Sequence, residues 1–199
     1  MLCVAVVALL PERIWGQKIG LFFDANATLC AGEIEPFGPA VHLWMFMFPP
    51  PDSLLGGAIV RLQLPPGLEI PADDQFFPNR TLIFRVGGDL TGGGLDLRFS
   101  YCFTGSEPQL LGQFGLVDLS SETRHDIPLH LSGGSPDSMA VYDKPQFLIC
   151  DPEDPQNFIR LLEAPPVDAT LNCTTSRCYC TTAVQPAPWS AIKRLYQGR

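Results

Sequence analysis

The chain has 199 residues, 46% hydrophobic and only 17% charged, so it can bury a real core and is not a disordered polymer. Its 18 glycines and 20 prolines punctuate it into short elements, which suits strands joined by turns and not long helices. The formal net charge is −8 and no Lys/Arg run precedes the extreme C-terminus, so no basic stripe exists for phosphate backbones and nucleic-acid binding is disfavoured.

At the N-terminus, Leu2 to Leu10 is an uninterrupted apolar run closed by Pro11. It is too short to span a bilayer, which takes ~20 apolar residues, and it has the length of a signal-peptide core. Residues 1–16 are therefore expected to be a signal peptide lacking its basic start, cleaved after Trp15-Gly16. A first strand is expected at Ile19 to Asp24. Val41 to Phe48 is apolar on both alternating faces apart from His42. Such a strand is either central and covered twice, or covered on its outer face by a terminal segment.

Period-two alternation then recurs. Val60, Leu62 and Leu64 share one face and Arg61 and Gln63 the other, before Pro65-Pro66-Gly67 ends the strand. Leu82, Phe84 and Val86 alternate with Thr81 and Arg85, and Gly92-Gly93-Gly94 follows as a hairpin turn. Leu95, Leu97, Phe99, Tyr101 and Phe103 point one way; Asp96, Arg98, Ser100 and Cys102 point the other. Ile127, Leu129 and Leu131 alternate with Asp126, Pro128 and His130. Further strands are expected at Leu110 to Leu119, Met139 to Tyr142, Phe147 to Cys150 and Phe158 to Leu162. About nine short strands with frequent turns read as one all-β domain over residues 17–182, a two-sheet sandwich.

Residues 183–199 differ. Pro186-Ala187-Pro188 forms a spacer, and Trp189, Ile192, Leu195 and Tyr196 then fall on one face of a short amphipathic helix. A lone helix of this length is marginal in water. The stripe therefore docks on its own sandwich, over Val41 to Phe48, or is presented as a partner-binding ligand.

Of seven cysteines, Cys3 leaves with the signal peptide. The even set Cys30, Cys102, Cys150, Cys173, Cys178 and Cys180 is expected to be oxidised in an exported chain. A metal site at Cys173, Cys178 and Cys180 is disfavoured by the missing Cys-x-x-Cys knuckle and the absence of a nearby histidine. No metal or cofactor is expected.

Chemistry is sparse. His42 reads as a half-buried strand residue and His130 as a solvated one; no nucleophile elbow, zinc-helix or phosphate-loop motif occurs. Asp73-Asp74 and the group Asp151, Glu153 and Asp154 read as solvated loop acids and not calcium ligands. The sequons at Asn26, Asn79 and Asn172 matter only in a host that glycosylates asparagine and are read as coincidence.

Several segments together carry a resemblance: Ile19-Gly20-Leu21-Phe22-Phe23-Asp24, Pro65 to Ile70, Tyr101-Cys102-Phe103-Thr104-Gly105, and a cysteine pair followed by a terminal Trp-x-x-Ile-Lys-x-Leu-Tyr. The chain resembles uncharacterised exported bacterial proteins that begin "IGLYFD" and end near "TWGxIKxLY", departing from them at Ser190, where they carry glycine. Pro65-Pro66-Gly67-Leu68-Glu69-Ile70 alone also resembles cohesin-like and other bacterial immunoglobulin-like sandwiches. The resemblance implies export and a sandwich, and no particular activity. The resulting expectation is a non-catalytic module of the envelope or extracellular space, neither transmembrane nor nucleic-acid-binding, whose partner is a protein or glycan. The alternative is an extracellular hydrolase using paired loop carboxylates among Asp73, Asp74, Asp151 and Asp154.

Overall fold

The computed structural model describes residues 17–50, 53–105, 107–135, 138–154 and 158–174. The expected signal peptide, Cys178, Cys180 and the tail bearing Trp189, Ile192, Leu195 and Tyr196 lie outside the described residues.

Two sheets face each other. The first orders β14 (Pro166–Val167), β1 (Lys18–Phe22), β3 (Val41–Phe48), β9 (Gln109–Asp118) and β5 (Leu68–Glu69), and β6 (Phe77–Pro78) also pairs with β9. The second runs β13 (Phe158–Glu163), β12 (Gln146–Cys150), β4 (Leu55–Gln63), β10 (Ile127–Ser135), β15 (Ala169–Leu171) and β2 (Ala31–Gly32). It also contains β7 (Ile83–Asp89), β8 (Gly94–Phe103) and, paired with β10, β11 (Ser138–Tyr142). A 3-10 turn at Ala72–Asp74 packs on β9. Among the described residues no helix is long and apolar enough to cross a membrane.

The alternating residues supply the core as expected. Leu43, Met45 and Met47 of β3 meet Ala58, Val60 and Leu62 of β4, Leu95 and Leu97 of β8, and Ile127, Leu129 and Leu131 of β10 in one cluster. Strand β9 holds its face through a bulge. Met45 pairs with Gly112 and Phe46 with Leu110, so Leu111 is the extra residue, and Leu111, Phe114 and Leu116 all turn inward.

Two expected faces are corrected. The register of β7 against β8 shifts between Ile83 and Arg85, so Ile83 is buried and Phe84 is turned out, 63% exposed. Tyr101, expected inside with Phe99, is 64% exposed, because the pairing of β8 with β4 shifts between Gly57↔Arg98 and Leu55↔Phe103 and the alternation breaks there, before Phe103 packs on the core again.

Strand β4 organises the second sheet. Both β8 and β12 pair with its Leu55–Ile59 stretch, so they lie on opposite edges of it. Gly57 is needed there, since a Cβ would stand 2.3 Å from the Leu97 carbonyl oxygen. Cys102 at the end of β8 is bonded to Cys150 at the end of β12. Strands two apart in a sheet lie about 9.6 Å from each other. The Cα–Cα distance here is only 6.4 Å, so the two strands converge just beyond the start of β4 and the bridge closes over its end. Cys30 and Cys173 are also disulfide-bonded.

Replacing Cys102 and Cys150 together by alanine should cost about 3–4 kcal/mol, since the bridge closes a 48-residue separation. Urea unfolding of the oxidised protein measures this; a loss under ~1 kcal/mol would remove the bridge from the account of stability. Phe114→Ala, emptying a fully buried ring, should cost about 3–5 kcal/mol in the same assay.

Candidate functional site

Several carboxylates outside the expected candidates serve as clamps on loops. Asp24 follows β1 and its carboxylate accepts hydrogen bonds from the N–H groups of Asn26 (3.3 Å), Thr28 (2.8 Å) and Leu29 (2.7 Å) and from the Thr28 hydroxyl (2.7 Å). Partial burial pushes this carboxyl up, but those hydrogen bonds outweigh it and hold it below its ordinary value.

At one end of the sandwich four loops are bound into a single platform. Pro65-Pro66-Gly67-Leu68 is a β-turn closed by the Leu68 N–H on the Pro65 oxygen (3.2 Å), with Gly67 at φ +84° supplying the left-handed position that a type II turn requires. Arg124 donates from Nη1 to the Pro66 oxygen and from Nη2 to Asp118 Oδ1 (2.8 Å). Asp118, fully buried, also accepts the Ser120 N–H (2.8 Å). Burial raises its carboxyl, and Ser120 and the Arg124 guanidinium more than compensate, so it stays below the usual carboxylate range.

Asn172 joins the remaining loops. Its Oδ1 accepts the Ile34 N–H (2.8 Å), and its Nδ2 donates to the oxygens of Ile34 (2.9 Å) and Arg124 (2.8 Å). Asp126 accepts the Thr174 N–H (2.9 Å) and hydroxyl (2.7 Å), which hold its carboxyl low. Of the three sequon asparagines, Asn172 therefore spends its amide internally. So does Asn79, whose Nδ2 donates to the Leu110 oxygen (3.0 Å).

This platform displays Phe37. Glu35-Pro36-Phe37-Gly38 is a turn closed by the Gly38 N–H on the Glu35 oxygen (3.0 Å), and the Phe37 N–H donates to the Asp118 oxygen (2.7 Å). Phe37 takes φ +55°, a left-handed conformation where glycine or asparagine is usual, and its ring is 71% exposed. Leu119, next to Asp118 and tied through its N–H to the Gly67 oxygen (2.7 Å), is 45% exposed. Beside them a cavity of about 670 Å³ opens among Glu33, Glu35, Ser121, Thr123 and His125. Neither Phe37 nor Leu119 was singled out from sequence. Pro36 and Gly38 mark a turn, but only tertiary contacts force phenylalanine into its left-handed position.

A second hollow, about 560 Å³, lies between the Gln75–Arg80 segment and the β7–β8 hairpin, floored by Ile70, Phe76, Val86 and Leu95.

The remaining candidates stay apart. Asp73 and Asp74 sit in the 3-10 turn against Gly115 of the first sheet. Asp151 follows β12 of the second sheet, where its Oδ1 accepts the Glu153 N–H (2.9 Å). His130 is exposed and its Nδ1 lies 2.7 Å from Asp168, whose other oxygen accepts the Leu131 N–H (3.1 Å). Among the described residues no group of three His, Cys, Asp or Glu side chains is arranged to hold a metal ion.

The sequence matches no family model and no curated protein. In shape the chain is similar to solved cohesins. A non-cellulosomal cohesin from the archaeon Archaeoglobus fulgidus is 14% identical, with 81% of this chain and 93% of that one covered and a TM-score of 0.45. The type I complex Coh-OlpC–Doc435 from Clostridium thermocellum contains a chain 8% identical, with 79% and 94% covered and a TM-score of 0.46. The sixth cohesin of Acetivibrio cellulolyticus scaffoldin B, solved with the Cel5 dockerin, is 12% identical, with 79% and 99% covered and a TM-score of 0.41.

Asp24, Asp118 and Asp126 all titrate below their ordinary value when folded. Each therefore contributes stability that is present above the unfolded carboxylate value of about 3.9 and lost as pH falls through the lower folded one. The melting temperature should hold between pH 5 and 7 as far as these groups are concerned and decline below about pH 4. Asp24→Asn should flatten part of that decline; an acid slope identical to wild type would show that the Asp24 loop does not report on folding.

Proposed function

We propose that the chain is a non-catalytic, exported module that binds another protein of the envelope or extracellular space through the loop end bearing Phe37 and Leu119. The observation that carries this reading is Phe37 itself. A left-handed backbone costs a residue with a Cβ roughly 1–2 kcal/mol, and here the ring recovers little of that by burial. A strained, exposed aromatic on a platform fixed by Asp118, Arg124 and Asn172 suits an anchor that a partner's pocket desolvates. The polar rim of Glu33, Glu35 and Ser121 suits the water-accessible border of such an interface. Export is supported by the Leu2 to Leu10 run and by the oxidised Cys102–Cys150, Cys30 and Cys173, which belong in an oxidising compartment.

Phe37→Gly separates display from folding. Glycine accepts φ +55° freely, so the melting temperature should be unchanged or slightly raised. Capture of an envelope protein by the immobilised chain should fall at least tenfold, with Leu119→Ser acting in the same direction. A clear loss of stability in Phe37→Gly would make the ring structural. Unaltered capture by both variants would place binding elsewhere. Hydrolysis of a glycan, ester or peptide substrate that disappears with Asp73→Asn, Asp74→Asn, Asp151→Asn or Asp154→Asn would restore the enzyme reading.

A further inference from the structure

The outer face of the first sheet is apolar, and something shelters it. Because Leu43, Met45 and Met47 of β3 point into the core, Trp44, Phe46 and Phe48 point away from it; on β1 the same holds for Lys18 and Phe22. On an uncovered sheet these rings would meet water. Instead Phe22 is 1%, Phe46 7% and Phe48 7% exposed, in a separate cluster with Cys30 and Val167. Phe22 packs against both other rings, at centroid distances of 5.8 and 6.0 Å. Lys18 is drawn out of water with them. It is 9% exposed, its ammonium stands 5.7 Å from the centre of the Phe48 ring, and burial lowers its pKa. Lys18, Thr28, Cys30 and Phe48 each engage a group beyond these contacts.

We infer that the occupant of this face is the chain's own C-terminal segment, residues 175–199. The inference is independent of the binding role assigned to Phe37. Three observations select this occupant. Cys30 lies inside the aromatic cluster and is disulfide-bonded, while Cys102 and Cys150 are taken by each other, and the segment after Thr174 carries Cys178 and Cys180. The stretch from Thr174 to Trp189 reaches up to about 50 Å when extended, enough to pass from the loop end to the outer face. The stripe Trp189, Ile192, Leu195 and Tyr196, as a helix, is about 12 Å long, and the row from Trp44 to Phe48 is about 13 Å long. The segment thus lays its apolar stripe on Phe22, Trp44, Phe46 and Phe48, with Cys30 bonded to Cys178 or Cys180 and Cys173 to the other. The bond holds the strap by its start and the aromatic contact holds it by its end.

Trypsin tests the tether directly, because Arg177 separates Cys173 from Cys178 and Cys180. A digest of the denatured, unreduced protein should contain peptides 19–61, 161–177 and 178–193 joined in one disulfide-linked species. Peptide 19–61 joined to 161–177 alone would overturn the assignment. The docking is tested by removing residues 188–199, which spares every cysteine. The melting temperature should fall by about 10 °C, binding of a hydrophobic dye should rise several-fold, and a synthetic 186–199 peptide should reverse both. Trp189→Ser in the full chain should move both readouts the same way by a smaller amount. Unchanged melting and dye binding would overturn the proposal. So would a dimer of the full chain that Phe46→Lys splits while residues 186–199 remain open to protease, since the occupant would then be a second copy.

Discussion

Burial of β3 on both sides sets the layering of the molecule. Its inward residues Leu43, Met45 and Met47 close the space between the two sheets, and its outward residues Phe46 and Phe48 lie in an aromatic cluster with Phe22. Neither half can be exposed cheaply, because burying a side chain of this size is worth about 1.5–3 kcal/mol. The neighbours follow from that demand. β1 and β9 flank β3 along its length, the second sheet covers one face, and the Asp24 loop brings Ala27 and Cys30 to the margin of the other. Asp24 is thus a structural residue in the same sense as the phenylalanines. It closes the loop that borders the cluster, although its own contacts are all polar.

The charged residues divide by depth. Those near the core, Asp118 and Arg124, satisfy loop backbone at the end of the sandwich and fix where Phe37 and Leu119 stand. The surface pair Lys144 with Glu163 (2.8 Å) is worth little in water, while Arg98 and Asp96 (2.7 Å) form a part-buried pair on β8. The acidity of the chain is consequently spent on solvation and on loop geometry. For the binding role proposed above, the means of recognition would be apolar side chains held out on a stiff base, the arrangement in which little ordering entropy is lost when a partner arrives.

The strands were legible because alternation is a local property. Val41 to Phe48 was read at its observed limits, and the Gly92-Gly93-Gly94 hairpin was correctly placed. What alternation does not carry is phase across a bulge. Leu82, Phe84 and Val86 look like one face until the shift at Ile83 turns Phe84 outward, a decision made by pairing with β8. Strand order was equally hidden, since β1 joins β14 and β2 joins β15 in parallel across more than a hundred residues. The candidate surface was the least visible part. Asp118 is unremarkable in sequence until Arg124, Ser120 and the Phe37 N–H converge on it, and Asn172 reads as a sequon until its amide is seen bridging two loops.

Once the bonds of Cys30 and Cys173 are opened, the Cys102–Cys150 bridge decides how the domain responds to being pulled by its ends. A tensile load carried along the backbone passes through the bridge and bypasses the chain between the two cysteines, a sequence separation of 48. That bypassed stretch includes β9 of the first sheet and β10, β11 and β12 of the second, so both sheets keep strands off the load path. About 160 Å of contour length is withheld for as long as the sulfurs stay joined. Extension therefore stops short until reduction releases the rest, which makes the redox state of the surroundings the determinant of how far the molecule can stretch.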